Sequence, residues 1–133
     1  GKGSLEEQLK QCAVDCGVSE RVDFEGYQSD MIQYYLRAKA TLLTSLYEGF
    51  PNVLIESIAL GTPVVAFDCP SGPREIVVEC INGCLVANEN IKQFEQTIRK
   101  TLDKNWDRKK IVTTSEAYQL NSIIRHYERV LIK

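Results

Sequence analysis

Histidine, methionine and tryptophan each occur only once in the chain. The lone histidine, His126, lies near the C-terminus, and it assembles neither a Ser-His-Asp nor a Cys-His catalytic arrangement. An excess of either charge is lacking too: 16 basic residues against 18 acidic ones leave a formal net charge of −2. Electrostatics therefore gives no reason to expect nucleic acid as a partner. No apolar run approaches the roughly 20 residues that span a bilayer, and no signal-peptide pattern opens the chain. A cytoplasmic location is the resulting expectation. Low-complexity tracts and fixed-period repeats are also absent. What remains is a 133-residue chain, 44% hydrophobic, with room for one domain with a real core and hardly for two.

Five cysteines are present. Cys12/Cys16 and Cys80/Cys84 are both spaced by four, within reach of a zinc site, but the pairs are far apart in sequence and His126 is distant from both. Cys12 and Cys16 continue the apolar stripe Leu5, Leu9, Cys12, Cys16, so buried thiols acting as small hydrophobes account for them. An odd count also argues against a secreted disulfide framework. No metal site is expected. One basic cluster, Lys92, Arg99, Lys100, Lys104, Arg108, Lys109 and Lys110, could touch anionic lipid at the inner membrane face or a phosphorylated acceptor. Glu95, Asp103 and Asp107 are interleaved with it, and a solvated helix face is the plainer expectation.

The pattern along the chain alternates. An amphipathic helix over 4–16 is closed by Gly17, and Arg21–Phe24 reads as a short strand ended by Gly26. Ser29 or Asp30 can cap a helix to about Ala38. Thr41–Ser45 reads as a buried strand, Asn52–Leu60 as a helix stopped by Gly61, and Pro63–Phe67 as a second buried strand. Pro73 suits the first position of a short helix. Cys84–Ala87 follows an Asn82-Gly83 turn as a strand. Ile91, Phe94, Ile98 and Leu102 mark a further helix by their spacing. The tail from about Ser115 to Ile132 is helical again, with Ile123, Tyr127 and Val130 on one side. Apolar strands alternating with helices predict an α/β fold, a doubly wound Rossmann-like parallel sheet, whose ligands bind beyond the carboxyl ends of the strands. Four strands are visible. The chain opens on Gly1-Lys2-Gly3-Ser4, where a glycine-rich strand-to-helix turn would sit but with no strand before it; a fragment of a longer chain is the expectation.

The chemistry concentrates in Leu46-Tyr47-Glu48-Gly49-Phe50-Pro51-Asn52-Val53-Leu54-Ile55-Glu56-Ser57. Asn52 and Glu56, four apart, share one narrow polar stripe on an otherwise apolar helix. A carboxylate there must face water, a partner or a ligand. A vicinal diol would suit it, since a carboxylate can accept two hydrogen bonds. Gly49 lets backbone approach a ligand, Pro51 stiffens the entry, and the amides of Asn52, Val53 and Leu54 form an anion site at the helix start. Phosphate there and a diol at Glu56 describe a nucleotide, and Glu48 would meet whatever the phosphate carries. The plain alternative is a capping Asn52, a solvated Glu56 and an ordinary loop acid at Glu48; the residues by themselves leave both open. The Ser71–Glu75 loop serves equally as a pocket wall or a helix start. For Arg74 a surface ion pair is the expectation.

The segment Thr44–Val77 resembles the signature region of family 4 (group 1) glycosyltransferases of the GT-B fold. The likeness rests on the Glu-x7-Glu spacing of Glu48 and Glu56 and on the run Ile-Glu-Ser-Ile-Ala-Leu-Gly-Thr-Pro-Val-Val-Ala from Ile55. It extends to Val22–Tyr27 upstream and to Ser71–Ile76 and Asn82–Val86 downstream. The resemblance implies that 1–133 is the nucleotide-sugar-binding C-terminal half of such a protein. A helix at about 115–133 would then pack towards an N-terminal domain that is missing here. It implies that Glu56 holds the donor ribose, that Asn52–Leu54 bind the diphosphate, and that Glu48 with Gly49, Phe50 and Pro51 contacts the transferred sugar. Tyr27 would lie near the base, and Gly1 to Gly3 would border the phosphates. A sugar would pass with retention of configuration from a nucleotide-sugar donor, UDP by family frequency, to a glycan or lipid-linked acceptor in bacterial surface polysaccharide synthesis. No metal or other cofactor is needed for that chemistry. The first two strands of the domain, and with them the basic residues that usually neutralise the donor phosphates, are missing. The chain alone is therefore expected to be inactive. Two other functions stand beside this one: a nucleotide-sugar epimerase, which should show further acids and histidines, and a non-catalytic nucleotide-binding module completed by a partner chain.

Overall fold

The structure, a computed structural model, describes residues 3–131, without the side chains of 126, 127 and 129–131. The chain divides into two compact units, Gly1–Met31 and Ile32–Lys133. The first holds helix α1, Glu6–Asp15, and a single 3-10 turn at Ser19–Arg21. Gly17, at φ 65°, stops α1 as its position suggested. Two expectations fail here. The stripe Leu5, Leu9, Cys12, Cys16 is exposed, and Ala13 is the one buried residue of α1. A ten-residue helix in so short a unit has little apolar surface against which to bury a stripe. Arg21–Phe24 is no strand: Arg21 closes the 3-10 turn, and the extended residues after it have no ladder partner among the described residues.

The second unit runs α2 (Ile32–Arg37), β1 (Thr41–Leu43), α3 (Asn52–Ala59), β2 (Val64–Phe67), α4 (Pro73–Ile76), β3 (Gly83–Val86), α5 (Ile91–Asp103), α6 (Arg108–Ser115) and α7 (Leu120–Leu131). The described sheet has three strands in the order β1-β2-β3, all parallel, with Thr41 opposite Val64 and Val64 opposite Gly83. Parallel strands bury both faces, and β2 shows it with all four residues buried. Val64 and Ala66 pack with Leu54 and Ile58 of α3, Ile76 of α4 and Ile111 of α6. Val65 and Phe67 pack on the other face with Val86 and with Phe94 of α5, the Phe67 and Phe94 rings 4.7 Å apart. Helices thus cover both faces, and the doubly wound α/β fold stands.

Helix α6 is an element that composition hides. Asp107 caps it through its side chain, accepting from the Lys109 and Lys110 amides, and Ile111 is its buried apolar residue. A 3-10 turn at Glu116–Tyr118 then separates it from α7, so the expected continuous tail helix begins only at Leu120. The basic cluster is partly spent on the fold. Arg99 pairs with Glu95, Lys104 donates to the Cys80 carbonyl at 2.6 Å, and Arg108 to the Leu60 carbonyl at 3.1 Å. No helix of the described residues is long and apolar enough to cross a membrane.

The Asn82-Gly83 pair is more than a turn. Asn82 is fully buried; its Oδ1 accepts from the Val78 amide at 2.8 Å, and its Nδ2 donates to the Ile76 carbonyl at 3.0 Å and to Thr114 at 2.8 Å. Gly83 lies so close to β2 that an added Cβ would fall 2.3 Å from the Val64 carbonyl oxygen. Gly83→Ala must therefore push β3 from its partner and is expected to destabilise the protein by about 1–3 kcal/mol or more. A urea midpoint unchanged from wild type would contradict this packing.

Candidate functional site

The site lies in the unit Ile32–Lys133, beyond the carboxyl end of β1. The chain leaves β1 at Leu43 and crosses irregular backbone before Pro51, buried and at φ −77°, turns it into α3. No side chain caps that helix start. The amides at a helix start have no intrahelical acceptors. The Leu54 N–H is nonetheless occupied, donating to the Pro51 carbonyl at 3.0 Å, and the Leu54 side chain is wholly buried. Of the three amides expected to face an anion, those of Asn52 and Val53, whose side chains are exposed, are the candidates that this bond does not occupy.

One turn deeper, Glu56 is exposed, and its carboxylate is aimed by a buried neighbour. Tyr35 of α2, only 4% exposed, donates its hydroxyl to Glu56 Oε2 at 2.9 Å. Burial first, and then the adjacent carboxylate, raise the Tyr35 phenol well above its usual range. Tyr35 is fixed at its other end as well, its carbonyl accepting from Thr62 Oγ1 at 2.7 Å. Ser57 Oγ lies 2.8 Å from Thr41 Oγ1 and 3.0 Å from the Thr62 carbonyl. This small polar network ties α2, β1, α3 and the turn after α3 together. Both Ser57 and Thr62 are buried, so their hydroxyls are satisfied inside the protein, as burial requires.

The opposite side of the Glu48–Pro51 loop is braced by residues that follow β2. Ser71, at φ 61°, brings its hydroxyl to 2.7 Å from the Glu48 carbonyl. Gly72, at φ 85°, packs so tightly that a Cβ would stand 2.5 Å from Pro51 Cδ and 3.1 Å from the Gly49 carbonyl oxygen. Of the two roles weighed for this loop, the helix start is realised, since Gly72 and Pro73 open α4. The Phe50 ring leans on Tyr118, with centroids 5.9 Å apart, and Tyr118 donates to the Glu75 carbonyl at 2.6 Å. The Phe50 ring thus helps to hold the loop. Beside the bracing residues opens a cavity of about 520 Å³ lined by Asp68, Ser71, Arg74, Glu75 and Asn88. Arg74 is engaged there in an ion pair with Asp68, Nε donating to Oδ1 at 3.0 Å, which holds the Asp68 carboxyl below its ordinary value.

The structure therefore brings together Glu48 (half-buried), Gly49, Phe50, Pro51, Asn52, Val53 and Glu56 along one loop and helix start. Tyr27 and Gly3, both exposed, belong to the unit Gly1–Met31. Gly1, Lys2 and the side chain of His126 lie outside the described residues. Tyr35 was missed by sequence reasoning. Nothing in Tyr34-Tyr35 distinguishes which ring turns inward, and the link to Glu56 spans 21 positions.

Tyr35 supplies a pH-dependent test. Its protonated form is the one the fold prefers, so its stabilising contribution is complete below the unfolded phenol value of about 10 and is lost as pH rises beyond it. Tyr35→Phe should cost about 1 kcal/mol at neutral pH, with the gap to wild type shrinking above pH 10. A gap that widened with alkalinity in chemical unfolding would contradict the arrangement.

Comparison with known proteins agrees with this fold. The family model for glycosyl transferases group 1 matches residues 1–119. A lipopolysaccharide 1,6-galactosyltransferase of Salmonella typhimurium is 36% identical over 98 residues, covering 71% of this chain and 27% of that protein. The apo form of the lipopolysaccharide outer core galactosyltransferase WaaB superposes with a TM-score of 0.90 at 27% identity, over 98% of this chain and 38% of its own. A TarM variant from S. aureus, in complex with fondaparinux, alpha-GlcNAc-glycerol and UDP, gives a TM-score of 0.78 at 26% identity, over 97% of this chain and 27% of that one. In each case this chain spans well under half of the protein it matches. The chain belongs to the group 1 glycosyl transferases and has the fold of GT-B enzymes.

Proposed function

We propose that this chain is the donor-binding part of a retaining glycosyltransferase, and that it grips a nucleotide sugar, UDP-linked, along the start of α3. The observation that carries this reading is the Glu56 carboxylate, exposed one turn below the helix start and oriented by the Tyr35 hydroxyl at 2.9 Å. A carboxylate held in that way can accept hydrogen bonds from the two ribose hydroxyls. The Asn52 and Val53 amides, backed by the helix dipole, then face the diphosphate. The UDP in the TarM complex supports uridine as the base, and the galactosyltransferase relatives support a hexose.

The reaction follows from where charge develops. As the bond from anomeric carbon to diphosphate lengthens, negative charge grows on the leaving phosphate, and preorganised amides aimed at that position lower the barrier. The step draws on protein donors and calls for no metal. Glu48 sits at the mouth of the same loop, its backbone carbonyl bonded by Ser71, and would contact the transferred sugar. The acceptor, a glycan or lipid-linked saccharide of a bacterial surface polysaccharide, would approach across a cleft completed by an N-terminal domain outside this chain.

Glu56→Ala should weaken UDP binding about tenfold to a hundredfold, the loss of a charged hydrogen bond of about 1.5–3 kcal/mol. Glu48→Ala should leave UDP affinity intact and weaken only the complete donor. Calorimetric titration of both ligands against both variants separates the roles, and equal losses for UDP and UDP-sugar at Glu48 would refute this division. The isolated chain should also show no measurable sugar transfer, because one wall of the cleft lies elsewhere; turnover of a UDP-sugar by this chain alone would overturn that expectation.

A further inference from the structure

At the amino end of β3, opposite to the crevice just described, the chain makes a tight loop through Cys80-Ile81-Asn82-Gly83-Cys84. The Cys80 N–H donates to the Gly83 carbonyl at 2.9 Å, and Cys80 takes a φ of 61°, unusual for a residue with a Cβ. Asn82 locks the loop from inside through its bonds to Val78, Ile76 and Thr114. This geometry turns a spacing of four into two thiols that share one place. Glu79 joins them: its Oε2 accepts from the Leu85 amide at 3.0 Å, while Oε1 lies 3.9 Å from Cys80 Sγ. One ligand atom from each of Glu79, Cys80 and Cys84 falls within 4.8 Å of the other two.

We propose that Glu79, Cys80 and Cys84 form a binding site for a thiophilic divalent cation of the zinc type, with water as the fourth ligand. Two sulfurs and one carboxylate oxygen are a donor set that zinc accepts in tetrahedral geometry. In such a site, with bonds of about 2.3 Å, two sulfurs stand roughly 3.8 Å apart, so sulfurs within 4.8 Å of each other need to close by at most about 1 Å. The ligands sit on a loop fixed by its own hydrogen bonds, which lowers the ordering cost of capture. Charge is matched as well: two thiolates and a carboxylate around a dication leave one net negative charge. Lys104, bonded to the Cys80 carbonyl at 2.6 Å, supplies the neighbouring positive one. Both strands that feed the donor crevice end at the far side of the sheet, so the ion would clasp the Glu79–Leu85 segment without touching the transfer chemistry.

Cobalt(II) is a spectroscopic probe for this site. Titrated into the reduced chain, it should give thiolate-to-cobalt charge-transfer absorption at one equivalent, and zinc should bleach it. Cys84→Ser and Cys80→Ser should each abolish or strongly weaken the band, Glu79→Gln should lower the affinity about tenfold or more, and a Cys12→Ser/Cys16→Ser double variant should keep it. Because Cys84 is half-buried, circular dichroism of each variant, and a zinc-induced rise in Tm confined to chains with both thiols, separates lost binding from lost folding. No band in the folded wild type, or a band that survives Cys80→Ser/Cys84→Ser and needs Cys12 and Cys16, overturns the proposal.

Discussion

The bond from the buried Tyr35 hydroxyl to the Glu56 carboxylate is the contact on which the site depends. An exposed glutamate on a helix surface ordinarily samples many rotamers, and ordering it costs entropy at the moment a ligand arrives. Here that cost falls on folding. Tyr35 is held at its carbonyl by Thr62 and at its ring by burial, and Thr62 is itself tied to Ser57 one residue beyond Glu56. The same few atoms therefore fix the position of α2, the end of α3 and the direction of the acid.

The rest of the sheet acts as a rigid base for that arrangement. β2 buries every residue, two to each face, so α3 on one side and α5 on the other are positioned by one strand. Two glycines set close approaches at opposite ends of it. Gly83 lets β3 meet Val64 at the amino end, and Gly72 lets the loop after β2 seat against Gly49 and Pro51 at the carboxyl end. The Glu48–Pro51 loop is thereby held on one side by α3 and on the other by the Ser71–Gly72 turn, with Phe50 and Tyr118 as a further brace.

Much of this was legible in the chain. β2 announced itself as a compact apolar run, and α3 by Gly61 at its end and by the polar stripe of Asn52 and Glu56. What escaped sequence reasoning escaped for physical reasons. Arg21–Phe24 has strand propensity but no described neighbour to pair with, and propensity without a ladder does not make a strand. The Leu5–Cys16 stripe has helical period, yet period predicts burial only where something is available to bury against. α6 was hidden because Ile111 is its one buried apolar residue in a segment made mostly of charged and hydroxyl residues. Tyr35 and the Glu79–Cys80–Cys84 cluster depend on folds of the backbone that bring distant or oppositely turned side chains together. Leu54 shows the finer limit: a helix-start amide counted as available is already bonded to Pro51.

If Glu56 is held to receive ribose hydroxyls, the ligand should report it directly. Affinities of the chain for UDP and for the same nucleotide lacking the ribose 2′-hydroxyl, measured side by side by calorimetry, test this without altering the protein. The account predicts that the deoxy ligand binds about tenfold or more weakly, the equivalent of one charged hydrogen bond. Equal affinity for the two, or no affinity for either, would contradict it.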